Sequence, residues 1–168
     1  KLCAFAFTNS DVMLAAFSDG LYWFNPETLD RSLITAYDPE NKNSRMNDGN
    51  LDRQGRFIVG GIDEDNMKPT TPVWRVDNLG ETILFGNIGC ANSTCFSPDG
   101  TTMYFADSAG TEIHKFDYDT ETGTPTNRRL FADLKDAGIP DGSTVDAEGS
   151  LWNARFGGAC VQKFLEDG

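Results

Sequence analysis

The chain has 168 residues, a length that suits one domain, and its 39% hydrophobic and 11% aromatic content supplies a core and argues against disorder. A formal net charge of -12 argues against nucleic acid and anionic membrane surfaces as partners, because phosphate would be repelled. There is no run of about 18 apolar residues for a transmembrane helix, and no leader with a basic start and an apolar middle opens the chain, although Lys1 is not an initiator methionine and a true N-terminus upstream stays open.

In chain order, Lys1 leads directly into an apolar strand. Gly20-Leu21-Tyr22-Trp23-Phe24-Asn25 alternates as a half-buried strand should, and Arg31 to Tyr37 reads as a further, outer strand. From Leu51 a grammar begins that recurs. Leu51-Asp52-Arg53-Gln54-Gly55-Arg56-Phe57-Ile58-Val59, Phe96-Ser97-Pro98-Asp99-Gly100 with Met103-Tyr104-Phe105, and Val145-Asp146-Ala147-Glu148-Gly149-Ser150-Leu151-Trp152 each join an apolar strand end, an Asp/Gly turn and a second apolar run. Glycine supplies the positive φ of a tight hairpin, and aspartate bonds the turn backbone. A third strand follows each hairpin, at 72–77, 112–117 and 159–164, and outer strands are expected at 81–85 and 128–131. No segment sustains a helical period; 134–138 is a single helical turn at most.

The turn glycines Gly55, Gly100 and Gly149 recur roughly every 45 to 50 residues, within the period of propeller blades. Units of about 47 residues make roughly three and a half blades, and propellers have about four to eight. The expectation is an all-β propeller of four-stranded antiparallel blades, present here as a fragment of a longer protein or as a piece completed by another chain.

Chemistry is expected on the loops before each first strand: 43–49, 88–94 and 137–143. Each carries Asn or Asp, so oxygen donors converge on the axis, and hard oxygens suit Ca²⁺ or Mg²⁺, with Zn²⁺ also accepting carboxylates. Asp52, Asp99 and Asp146 recur at the hairpins and read as turn residues. His114, the sole histidine, reads as a surface residue, and Trp23, Trp74 and Trp152 as core or blade packing. Asp63-Glu64-Asp65 reads as a solvated loop, with a lid as the other reading. Cys3, Cys90, Cys95 and Cys160 show no metal spacing and read as small buried hydrophobes, with a Cys90–Cys95 disulfide as the alternative. This cysteine usage favours a reducing, cytoplasmic compartment, with periplasmic, secreted or organellar locations left open.

Three ordered blocks carry a family resemblance. Ser44-Arg45-Met46-Asn47-Asp48-Gly49 with Asp52 and Gly55-Arg56-Phe57 resembles the R-x-N-D-G…D-x-x-G-R-F signature of the SMP-30/gluconolactonase/regucalcin (luciferin-regenerating enzyme-like) family. Phe116-Asp117-Tyr118-Asp119 with Thr122-Gly123 resembles the outer part of that family's next blade. Ile139-Pro140-Asp141-Gly142, Val145 to Gly149, Leu151-Trp152 and Gly157-Gly158 resemble its P-D-G…D-A-E-G-x-L-W…G-G block.

The resemblance implies a six-bladed β-propeller, of which this chain covers roughly three and a half to four blades. It also implies a hydrolase that opens a sugar (aldono-) lactone with one divalent cation, Ca²⁺ or Zn²⁺, with Mg²⁺ or Mn²⁺ as further options. Asp141 would be metal ligand and general base, and Asn92 a second ligand. Arg45 and Asn47 would bind substrate, with Asp48 supporting them. A remaining Glu ligand would lie upstream of Lys1. One departure stands out: the family's Asn-Gly at the second ligand is Asn92-Ser93 here, which removes a flexible residue. The alternative is a non-catalytic calcium-binding or scaffolding propeller of the same fold.

Overall fold

The computed structural model describes residues 1–37, 41–135, 138–166 and 168. Among them every regular element is a strand. The first sheet holds β1 (Leu2–Phe7), β2 (Met13–Phe17), β3 (Gly20–Phe24) and β4 (Arg31–Ala36). The second holds β5 (Ser44–Leu51), β6 (Phe57–Asp63), β7 (Thr71–Asp77) and β8 (Gly80–Ile88). The third holds β9 (Ala91–Phe96), β10 (Thr102–Asp107), β11 (Glu112–Asp119) and β12 (Thr124–Asp133), and the last holds β13 (Ile139–Val145), β14 (Leu151–Phe156) and β15 (Cys160–Phe164).

Each sheet is an antiparallel meander in sequence order, three of them four-stranded and the last three-stranded. The first strands touch in series, β1 on β5, β5 on β9 and β9 on β13, as the inner strands of propeller blades do. The chain is a β-propeller arrangement of four blades. The helical turn expected at 134–138 includes residues 136 and 137, which lie outside the described residues.

The core lies between neighbouring sheets. Leu21 and Ala16 meet Phe57 and Val59 between the first and second sheets. Ile58 and Val73 meet Phe96, Met103 and Phe105 between the second and third. Tyr104 and Ile113 meet Phe131 and Leu151 between the third and last. Fully burying one such side chain contributes about 1.5–3 kcal/mol, so these layers fix blade spacing. Every residue of β9 is buried, because it is covered from both sides. Gly60 of β6 shows how close the approach is: a Cβ there would lie 2.3 Å from the Cβ of Ala91 on β9.

The hairpins follow their turn chemistry. Asp52 Oδ1 accepts from Gln54 N and Arg56 N at 2.9 Å, Asp99 Oδ1 from Thr101 N at 3.0 Å, and Asp146 Oδ1 from Glu148 N and Ser150 N at 3.1 and 2.8 Å. Gly55, Gly100 and Gly149 have φ of 84°, 77° and 87°, in the left-handed region that glycine enters without steric cost. The turn aspartates are therefore structural, as their recurrence indicates. Asp52 is also buried, pairing with Arg56 Nε at 2.5 Å and accepting from Tyr118 Oη at 2.8 Å. Arg56 then reaches the third sheet, donating to Thr120 O and Glu121 O at 3.0 Å.

Other sequence readings are corrected. All four cysteines are free, and Cys160 is exposed while Cys3 is half-buried, so the reading as buried hydrophobes holds for Cys90 and Cys95. Trp74 packs edge-on against Tyr37 with centroids 5.3 Å apart, whereas Trp23 and Trp152 are substantially exposed. These two belong to the first and last sheets, each of which has one neighbouring sheet here. His114 sits beside Arg128 and Glu112 on β11, which β10 separates from the inner strand β9.

Candidate active site

The residues expected on loops are in fact inside the inner strands, at or beside breaks in their pairing. On β5, Met46 faces Gly61 and Gly49 faces Val59, so Asn47 and Asp48 oppose Gly60 alone. On β9, Asn92 faces Ala106 and Cys95 faces Tyr104, so Ser93 and Thr94 oppose Phe105. On β13, Pro140 faces Arg155 and Ser143 faces Asn153, so Asp141 and Gly142 oppose Ala154. β1 has a smaller break at Cys3, between the pairs of Leu2 and Ala4. A bulge frees backbone from the ladder and re-aims side chains. Repeated on adjacent inner strands, it turns several polar side chains toward one place.

They meet there. Arg45 Nη1 donates to Asn47 Oδ1 at 2.8 Å and Met46 O at 2.9 Å, and Asn47 Nδ2 donates to Ala91 O at 2.9 Å, beside Asn92. Asp48 Oδ2 accepts from Thr94 N at 3.1 Å, tying the β5 bulge to that of β9. The amide atom of Asn92 nearest Asp141 lies 3.1 Å from Asp141 Oδ1. The five sequence candidates thus form one continuous group across the second, third and last sheets.

The orientation of the Asn92 amide follows from counting protons. Ser108 Oγ lies 2.5 Å from Pro140 O and 2.8 Å from the far end of the Asn92 amide. Pro140 O can only accept, so the single Ser108 proton goes to it, and Ser108 Oγ then accepts from Asn92 Nδ2. This turns Asn92 Oδ1 toward Asp141 Oδ1 at 3.1 Å and Ala91 O at 3.3 Å, an oxygen facing two acceptors with no proton between them. With nitrogen there instead, Asn92 would donate to Asp141 Oδ1 at 3.1 Å and Ala91 O at 3.3 Å, but Ser108 would have to divert its proton to Asn92, leaving its oxygen and Pro140 O 2.5 Å apart with no proton between them. The first arrangement has the spacing of adjacent ligands on a hard cation, whose metal–oxygen bonds are about 2.3–2.6 Å for Ca²⁺. The donor set fits such an ion. Among the described residues no group of three or more His, Cys, Asp and Glu gathers into a metal cage, so this pair is one carboxylate and one amide.

Electrostatics separate the acidic groups. Burial pushes Asp48 up to about 6, against the backbone hydrogen bonds from Thr94 and Gly49, and the Asp141 charge pushes the same way. Burial pushes the Cys90 thiol up to about 11, so it stays neutral beside Asn47 Nδ2 and Asn92 Nδ2, 3.7 and 3.6 Å from its sulfur. Burial also works against the Arg45 charge, but the Glu64 hydrogen bond and its neighbours outweigh it and raise Arg45.

Glu64 is the partner that sequence reading missed. Its Oε1 accepts from Arg45 Nε at 2.7 Å, and Arg45 in turn holds its carboxyl below the usual range. The acidic run 63–65 is thus not a freely solvated loop. Asp63 is buried at the end of β6, accepting from Lys68 N at 2.9 Å and Asn41 Nδ2 at 3.0 Å. Arg45 and Ile62 are partners in the β5–β6 ladder, and that register brings Glu64 to Arg45; the sequence holds no local sign of it.

The departure at Ser93 also takes definite form. Ser93 has φ 58°, so it occupies the left-handed conformation that favours glycine. The bulge keeps its shape without one.

The family model described as "SMP-30/Gluconolactonase/LRE-like region" matches residues 1–168. An L-arabinolactonase of Azospirillum brasilense is 38% identical over all of this chain and 57% of its own length. A putative sugar lactone lactonase of Rhizobium meliloti is 33% identical over 77% of this chain and 45% of its own. The crystal structure of a calcium-binding protein, regucalcin, from Agrobacterium tumefaciens superposes with a TM-score of 0.91 at 33% identity, covering 98% of this chain and 56% of that one. The chain therefore spans about half the length of the relatives it matches. With the family model matching from Lys1 to Gly168, the chain belongs to the SMP-30/gluconolactonase/LRE-like family.

Proposed function

We propose that this chain forms the catalytic part of a divalent-cation-dependent lactonase that opens an aldono-lactone to the aldonic acid. The observation that carries the reading is the approach of the Asn92 side-chain amide to 3.1 Å from Asp141 Oδ1, with Arg45 and Asn47 alongside. Relatives named as lactonases support the substrate class.

Asp141 and Asn92 would hold the cation, which when bound supplies a Lewis acid for the lactone carbonyl. Asp141 takes the proton from the attacking water as general base. Arg45, steadied by Glu64 and Asn47, donates to the substrate's ring and hydroxyl oxygens. The Asp48 carboxylate anchors the β9 backbone at Thr94. Ca²⁺ and Zn²⁺ are the leading ions, with Mg²⁺ and Mn²⁺ compatible with the same oxygens.

The ring is proposed to have six blades, with a further carboxylate ligand from a blade outside this chain. The end sheets support this by leaving apolar side chains uncovered, Phe7 at 76% and Phe156 at 67% exposure. Further blades of the protein, or a second chain, would cover them.

The test is hydrolysis of gluconolactone, arabinolactone and related lactones by the full-length protein, followed by acid release. Turnover should vanish with a chelator and return with Ca²⁺, Zn²⁺ or Mn²⁺. A protein that binds these ions without metal-stimulated hydrolysis would be the non-catalytic calcium-binding propeller instead.

A further inference from the structure

The backbone carbonyl of Asp141 is held by side chains from two different sheets. Ser93 Oγ, on β9, donates to Asp141 O at 2.8 Å. Asn153 Nδ2, on β14, donates to the same oxygen at 3.0 Å and also reaches Ser93 Oγ at 3.0 Å and Ser143 Oγ at 2.9 Å. Ser93 Oγ and Ser143 Oγ are 2.9 Å apart. The Asn153 amide is itself fixed, since its Oδ1 accepts from Arg155 Nη1 at 3.0 Å. Arg155 Nη2 donates onward to Leu134 O at 3.2 Å and Gly138 O at 2.5 Å, at the entry to β13. Ser93 and Asn153 are both 0% exposed.

Two features make this more than ordinary satisfaction of buried polar groups. The first is backbone strain. A non-glycine residue in a sparsely populated backbone region costs about 1–3 kcal/mol, and Ser93 sits at φ 58°. Glycine would adopt that φ without the cost, so the serine hydroxyl has a compensating use, and its donor reaches the carbonyl of Asp141. The second is location. Asp141 and Gly142 are the unpaired residues of the β13 bulge, where the ladder does not fix the backbone. A bulged peptide can rotate unless something else holds it, and rotation would swing the Asp141 carboxylate away from Asn92.

We propose that Ser93 and Asn153 form a clamp, spanning two blades, that positions the Asp141 carboxylate by locking the β13 bulge. This rests on the reading of Asp141 as the general base. Ser93 and Asn153 do not touch the substrate in this scheme; they act through Asp141. Hydrogen-bonded partners behind a metal ligand commonly change affinity or activity by about 10–100-fold when removed.

The experiment uses the full-length protein with Ser93→Gly and Asn153→Asp. Ser93→Gly relieves the backbone while deleting the donor, so a merely structural serine would give an equal or higher melting temperature and unchanged kinetics. The clamp instead predicts that kcat falls about tenfold with KM changed less than about twofold, at an equal or higher melting temperature. Terbium, titrated by its luminescence as a probe cation, should bind about tenfold more weakly. Asn153→Asp, which sets an acceptor against the Asp141 carbonyl, should lower kcat further, and Asn153→Ser should recover part of that loss.

Crystal structures of wild type and Ser93→Gly give a readout independent of turnover: the Asp141 carboxylate should move away from Asn92 in the variant. If Asp141 stays in place and kcat is unchanged, the clamp is overturned while the lactonase reading stands. If wild type neither hydrolyses lactones nor binds terbium, the lactonase reading falls. The position of Asp141 in Ser93→Gly then decides the clamp alone, standing if it moves and failing if it does not.

Discussion

The aspartates of the inner strands fall into two groups. Asp52, Asp99 and Asp146 lie where β5, β9 and β13 leave for their hairpins, while Asp48 and Asp141 sit in the bulges of β5 and β13. In the hairpins, local donors satisfy the carboxylate. The Ser97 hydroxyl and Thr101 hold Asp99 below its usual range, and the Trp152 indole, with Ser150 and Lys163, holds Asp146 down to about 2. In the β5 bulge burial wins, and Asp48 rises to about 6. One residue type is a settled turn anchor in one place and a poised acid in the other. The difference is burial: Asp48 is taken out of water, whereas Asp99 and Asp146 stay close to solvent with side-chain donors beside them.

The strongest way to break this contrast is at Asp141. Asp141→Ala should cut turnover in the lactone assay at least a thousandfold, about 4 kcal/mol of barrier, while leaving the melting temperature close to wild type. An equal loss of stability would make it one more turn-type anchor.

Asp52→Ala should do the opposite. It removes the carboxylate partner of Arg56 and the acceptor of Tyr118 Oη. Removing one partner of a buried pair costs about 3–5 kcal/mol, and Arg56 keeps carbonyl partners at Thr120 and Glu121. A loss of about 3 kcal/mol in urea unfolding is expected, with the kcat of the remaining folded protein unchanged.

Asp48→Asn sharpens the contrast through pH. The folded pKa, about 6, lies above the ordinary 3.8, so the fold favours the protonated form. That contribution is complete below about pH 4 and is lost as pH rises through 6. The neutral amide should therefore be more stable than wild type at pH 8, by roughly 1–3 kcal/mol after allowing for partial solvent access, and equal to it near pH 4. Paired unfolding curves at the two pH values would show it. Asp99, held down, contributes with the opposite sign: its stabilisation is present above the ordinary carboxylate value and disappears as pH falls. Asp99→Ala should cost the least, about 0.5–1 kcal/mol at pH 7 for an exposed turn bond, with no effect on turnover.

How legible these differences are in the sequence depends on how local their causes are. The Asp/Gly hairpins are written within five or six consecutive residues, so Gly55, Gly100 and Gly149 mark the blades and the strands between them fall where alternation puts them. The residues Arg45, Asn47, Asp48, Asn92 and Asp141 were legible as a group, but their setting was not. Asn, Asp and Gly in succession read as loop, and only the partner strand shows that the run continues as a bulged strand. The approach of Glu64 to Arg45 depends on the β5–β6 register, and the left-handed Ser93 on contacts from β13 and β14. The exposure of Trp23 and Trp152 depends on which sheets stand beside theirs, and an alternating strand pattern does not encode that.

Gly60 connects the packing to the chemistry. It is the single residue opposite the Asn47–Asp48 bulge, and it rests against Ala91, whose chain neighbour is Asn92. Enlarging it by one methyl group would wedge β6 from β9 and move Asn92 bodily relative to the β5 residues. The separation of the polar groups around the axis is thus gauged by a hydrogen atom on a glycine outside that group, and in the proposed metal site the fit to an ion's radius would be tuned at that contact as much as at the proposed ligands.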